Sequence, residues 1–186
     1  VVYSVKGQSV MKSFDIRTKI YFGADSLDRL AEIPYKKALI ITDPFVQKSG
    51  LLLMLTSRLQ EGFTEYEVFS DVIPDPPLEK IAHGVKVLLE YDPDVVIAVG
   101  GGSAIDSAKS IREFASRSTK KHIALIAVPT TSGTGSEVTS FAVVTDPDKD
   151  IKYPLVSDSM LPDEAILDAA LVKSVPANVT ADTGMD

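Results

Sequence analysis

The chain has no cysteine and only two histidines among its 186 residues. Without cysteine there is no disulfide framework and no thiolate chemistry, an absence that fits a reducing cytosol. His83 and His122 have no partner at metal-ligand spacing, so both read as surface residues. No Ser/His/Asp arrangement can be built on them. Basic charge is scarce as well. The 19 Lys and Arg against 26 Asp and Glu leave a formal net charge of −7, which argues against a nucleic-acid surface. Long apolar runs are missing too: those at 51–55, 95–99 and 123–128 fall far below the roughly 20 residues of a membrane helix. The start shows no apolar stretch of secretory type. These absences describe an acidic, cytoplasmic globular domain, long enough to bury a full core.

What is present is alternation. Residues 37–42, 95–99 and 123–128 are short apolar runs of strand length, and 65–69 alternates like a strand. Between them, Leu51, Leu55 and Leu59 recur at helical spacing, as do Leu78, Ile81, Val85, Leu88 and Leu89, and a further helix is expected from about Ser103 to Arg117. Ile73-Pro74-Asp75-Pro76-Pro77 reads as a rigid connector. Apolar strands without in/out alternation are buried on both faces, so the pattern predicts an α/β fold with a doubly wound, Rossmann-like parallel sheet. Residues 138–145 and 151–156, around the turn Asp146-Pro147-Asp148-Lys149, predict a β-hairpin insertion. A last strand is expected at 165–167 and a helix near 177–186. Residues 1–10 read as an upstream or added tail before a natural start at Met11. Residues 11–175 form the nucleotide-binding domain of this scheme. Lys109 and Arg112 are expected on the solvated face of their helix.

Two glycine-threaded stretches follow consecutive buried strands. The first is Gly100-Gly101-Gly102-Ser103, continuing through Asp106 to Lys109. The second is Pro129-Thr130-Thr131-Ser132-Gly133-Thr134-Gly135-Ser136-Glu137-Val138-Thr139. A strand that empties into a glycine turn leaves backbone N–H groups open to a phosphate, and the following helix adds its positive end. The first turn does not complete G-x-G-x-x-G, because Ile105 stands at the third glycine. The second loop adds the hydroxyls of Thr130, Thr131, Thr134 and Ser136. Asp43 closes the first strand of the sheet. It is either a turn residue before proline or a carboxylate for an adenosine ribose, the latter favouring NAD over NADP.

Taken together these stretches resemble the iron-containing (group III) alcohol dehydrogenases. The likeness rests on Thr42-Asp43, the Gly100–Lys109 stretch, the Thr130–Thr139 block, Lys152 and Thr183-Gly184-Met185-Asp186. It runs from Met11 to the end of the chain. Within the family, residues 140–155 look closest to the propanol-oxidising branch of bacterial propanediol-utilisation operons. The resemblance implies a cofactor domain followed by an all-helical domain, with the active site between them. Residues 176–186 would be the start of that helical domain, and the rest of it is absent from this chain. It also implies site residues. Asp43 would bind the adenosine ribose, and Gly100, Gly101, Gly102 and Ser103 the pyrophosphate of NAD. Thr130, Thr131 and Thr134 would line the adenine and ribose side, with Ser136, Asp106 and Lys152 nearer the nicotinamide. Asp186 matches the carboxylate ligand of a catalytic divalent metal, iron or zinc, whose histidine ligands have no counterpart here.

The activity so implied is reversible hydride transfer between NAD(H) and a short-chain alcohol or aldehyde, such as propanol and propionaldehyde. This chain alone is expected to bind cofactor without catalysis. A homo-oligomer, a small-molecule alcohol or aldehyde partner and bacterial microcompartment association belong to the same resemblance. Two other readings stay open: a nucleotide-binding module without chemistry, and a sugar-phosphate enzyme of the dehydroquinate synthase type.

Overall fold

The computed structural model describes residues 16–149, 151–173 and 175–185. Six parallel strands form one sheet in the order β1-β8-β5-β4-β2-β3. They are β1 (Lys19–Phe22), β2 (Lys37–Thr42), β3 (Glu65–Phe69), β4 (Val95–Gly100), β5 (Ala124–Pro129) and β8 (Glu164–Leu167). β6 (Phe141–Asp146) and β7 (Ile151–Val156) form a separate antiparallel hairpin. The helices are α1 (Pro44–Lys48), α2 (Leu51–Glu61), α3 (Leu78–Tyr91), α4 (Gly102–Thr119) and α5 (Ala177–Gly184).

The apolar runs dictate this arrangement. Every residue of β4 and β5 is buried, as expected of strands covered on both faces. On one face Leu39, Ile41, Val96, Ala98, Leu125 and Ala127 pack against α3 and α4. On the other, Ala38, Ile40, Val95, Ile97, Val99 and Ile126 pack against α2 and the 3-10 turn at 26–31. The chain runs outward from β2 to β3, crosses back over β2 to β4, and continues through β5 to β8. The strand order therefore reverses between β2 and β4. Open parallel sheets place ligands outside the carboxyl ends of their strands at that switch.

One expectation is overturned. Lys109 and Arg112 are not on a solvated face; they are 0 % and 3 % exposed. The hairpin and the 3-10 turn at 158–160 lie over the outer side of α4 and convert its polar stripe into interior. Lys109 Nζ donates to the Phe141 carbonyl at 2.7 Å and to Thr139 Oγ1 at 3.1 Å. Arg112 donates to the Ser159 carbonyl. Burial pushes the Lys109 ammonium down to about 8, against the attraction of Asp106 and Glu137.

Candidate functional site

The strand register brings three chain segments to one level. Thr42 pairs with Val99, and Gly100 with Pro129. The Thr42 hydroxyl donates to the Val99 carbonyl at 2.8 Å, and the Thr130 amide to the Gly100 carbonyl at 2.9 Å. Asp43, the Gly100–Gly102 turn and Thr130 therefore emerge side by side. They open into a cleft of about 600 Å³ at the switch point.

Asp43 does two things. Its Oδ1 accepts from the amides of Phe45 and Val46, at 2.8 and 2.9 Å, and so caps α1. Its Oδ2 points toward Gly100, 3.1 Å from where a Cβ on that glycine would lie. Pro44 occupies the first position of α1, where its missing N–H costs no hydrogen bond.

The glycine turn is built for close approach. Gly100 ends β4 with φ +146°, and a Cβ there would meet the Ala104 Cβ at 2.6 Å. Gly101 is the N-cap of α4 and supplies no side-chain cap, so no capping side chain claims the first amides of this 18-residue helix. A Cβ on Gly101 or Gly102 would sit 3.3 Å from Thr131 Oγ1 or 3.2 Å from Thr134 Cγ2, filling the space between the two loops. The cradle thus fits a diphosphate. Ser103 is half-buried and faces the cleft rather than capping the helix.

The cleft gathers Asp43, Gly101, Gly102, Ser103, Thr130, Thr131 and Thr134 from the expected set. Gly100 shapes the turn from behind. Asp106 and Ser136 lie outside the lining. Asp106 Oδ2 accepts from the Val143 amide at 3.0 Å, while Oδ1 is buried without a partner. Burial pushes its carboxyl up, opposed by that amide and by Lys109. Lys152 is on the surface, paired with Asp75 at 2.6 Å. Asp75 belongs to the loop after β3, whose Val72, Ile73 and Pro74 line the cleft.

Two walls were not anticipated. One is residues 72–74, seen in the sequence only as a rigid connector. The other comprises Leu171, Val175, Pro176, Val179 and Thr183, from α5 and the segment before it. Gly133, at φ +142°, packs so closely on α5 that a Cβ would overlap the Thr183 carbonyl.

Asp186, the expected metal ligand, lies outside the described residues. Among the described residues no group of three or more His, Cys, Asp or Glu side chains is placed to hold a metal ion. His83 instead sits beside Asp71 at 3.3 Å and packs edge-on to Phe69. No described helix is long and apolar enough to cross a membrane.

Comparison with known proteins gives this geometry a context. The family model for iron-containing alcohol dehydrogenase matches residues 17–169. A 1-propanol dehydrogenase of Citrobacter freundii is 47% identical over 176 residues, covering 95% of this chain and 47% of that protein. An NADPH-dependent butanol dehydrogenase of Clostridium saccharobutylicum is 34% identical, over 95% of this chain and 50% of its own length. Among solved structures, a sulfoacetaldehyde reductase of Bifidobacterium kashiwanohense in complex with NAD+ superposes with a TM-score of 0.86 at 29% identity. That match covers 96% of this chain and 51% of the other. The chain spans about half the length of the curated relatives it matches. With the family model covering most of its length, the chain belongs to the iron-containing alcohol dehydrogenases.

Proposed function

We propose that this chain is the cofactor-binding part of an NAD-dependent, divalent-metal-dependent alcohol dehydrogenase acting on a short-chain alcohol such as propanol, or on its aldehyde. One observation carries the reading: three adjacent strand ends deliver a carboxylate, an uncapped helix N-terminus and a threonine-rich loop to a single cleft. The likeness to the Citrobacter 1-propanol dehydrogenase supports the substrate class.

In this scheme the amides of Gly101 and Gly102 and the hydroxyl of Ser103 hold the diphosphate at the positive end of α4. Asp43 Oδ2 accepts hydrogen bonds from the adenosine ribose. Thr130, Thr131 and Thr134 border the adenosine half. Asp106, Ser136 and Lys152 stand toward the nicotinamide half. The bound dinucleotide would accept or return a hydride at nicotinamide C4. These residues bind and orient. A metal, iron or zinc, with Asp186 as a ligand, belongs to the same proposal, but the described residues form no site for it. Residues 176–186 would begin the helical domain. Assembly with further copies and microcompartment association extend the propanol dehydrogenase likeness.

Calorimetry with NAD+ and NADP+ tests the proposal. The Asp43 carboxylate should favour NAD+ by roughly tenfold or more, because like charges facing each other across an interface cost several kcal/mol. Asp43→Asn keeps an oxygen for the α1 cap but removes the charge, so it should narrow that ratio. An unchanged ratio would refute the Asp43 role, and no NAD+ binding would refute the cofactor site. This chain alone should not reduce propionaldehyde, with or without added iron(II). NADH oxidation in that assay would contradict the expectation.

A further inference from the structure

We infer that Phe45 is the platform on which the adenine base of the dinucleotide stacks. The inference rests on the dinucleotide reading of the cleft and adds a residue to it. Phe45 is 68 % exposed. Phe22 and Phe63 are more exposed still, at 79 % and 85 %, but neither lines the cleft; Phe45 is the aromatic residue that does, among the described residues.

Its placement is fixed by its neighbours. Val46 is 1 % exposed and anchors α1 in the core, so the adjacent position turns outward. The Phe45 amide donates to Asp43 Oδ1 at 2.8 Å. The ring's backbone is thereby tied to the carboxylate whose other oxygen faces the glycine turn. A ribose held by that oxygen carries its base one glycosidic bond away, on the scale at which aromatic rings stack, with centroids about 4.5–7 Å apart. Leu51 and Ile73 also line the cleft with apolar surface, suited to the edge of a base. Stacking accepts any purine face, and the ribose carboxylate then supplies the discrimination against a 2′-phosphate.

The chain has no tryptophan, so Phe45→Trp would carry the molecule's single indole. Binding of NAD+, ADP-ribose and nicotinamide mononucleotide should be measured for the wild type, Phe45→Ala and Phe45→Trp. Phe45→Ala should weaken NAD+ and ADP-ribose about tenfold and leave nicotinamide mononucleotide as in the wild type. Phe45→Trp should restore affinity, with indole fluorescence quenched by ADP-ribose and AMP but not by nicotinamide mononucleotide. Wild-type affinity for ADP-ribose in Phe45→Ala, or an indole that no adenine nucleotide quenches, would overturn the inference while leaving the cofactor site standing. A wild type that binds no NAD+ would remove both. Because the side chain is exposed and its amide is unchanged in either variant, an equal melting temperature is expected and separates stacking from folding.

Discussion

The two glycine loops at the carboxyl end of the sheet border one cleft, but their glycines serve opposite ends. The turn at Gly100–Gly102 is open: its glycines keep side chains out of the gap between loops, and the helix behind it ends in unclaimed amides. The loop at Gly133–Gly135 faces the cleft through Thr134 but is held at one point by the chain itself. Gly133 lies under the backbone of α5, and beyond the loop Lys109 grips Thr139 and Phe141 from within the core. Glycine therefore marks a place where something comes close, and only the packing tells whether that is a ligand or another part of the chain.

Gly133→Ala should give the largest effect. A methyl group there meets a backbone carbonyl at a φ that L-residues avoid, so α5 must lift away. Because no described residue of α5 is buried, the sheet should remain folded. The expected signature is rapid proteolysis within 176–184 and a large loss of NAD+ affinity with only a modest fall in melting temperature. Protection of α5 equal to the wild type would erase the distinction between the loops.

Gly102→Ala should have an intermediate effect of the opposite kind. The neighbouring Thr134 methyl must shift by a few tenths of an ångström. The better helix propensity of alanine offsets part of that. Stability should stay within about 1 kcal/mol of the wild type, while NAD+ affinity falls roughly tenfold, because the methyl occupies the cradle. A loss of stability with affinity intact would mean that this turn, too, is structural.

The last effect is confined to the alkaline side of the pH range. Lys109 has a folded pKa of about 8, depressed by burial from 10.5. Between those values the unfolded chain binds more protons than the folded one, so stability rises with pH across that window and is flat below it. The gain is on the order of 3 kcal/mol at most. Denaturant titrations of wild type and Lys109→Met at pH 7.5 and 10 should differ in slope, with the variant lacking the rise. Parallel curves would show that the lysine is not held as described.

The central strands were legible because a strand buried on both faces must be apolar throughout, as residues 95–99 are. α3 was legible from its heptad-like spacing. The edge strand β1 was not: four residues, Lys-Ile-Tyr-Phe, with both ends exposed carry no burial pattern. α1 was hidden because Asp43-Pro44 reads as a stop, whereas here the pair starts a helix, the aspartate capping it and the proline opening it. The burial of Lys109 and Arg112 could not be read from α4 itself. It depends on a hairpin some 30 residues away in sequence, whose outer strand β7 is almost wholly exposed. In the candidate site, Asp43 and the two loops announced themselves through residue type. The apolar walls did not, since isoleucine, proline and valine at 72–74 and 171–179 look the same whether they face a core or a cleft.

One consequence follows from β2, β4 and β5 finishing within one residue of the same rung. Neighbouring strands are about 4.8 Å apart, so three of them present a straight ledge roughly 10 Å long. A rod-shaped molecule can rest along it without bending, touching each strand through a single residue. Lengthening any one strand by a residue would raise a step in that ledge and turn the next side chain to the opposite face, which makes even insertions of one residue at 43, 100 or 130 harder to accommodate than substitutions.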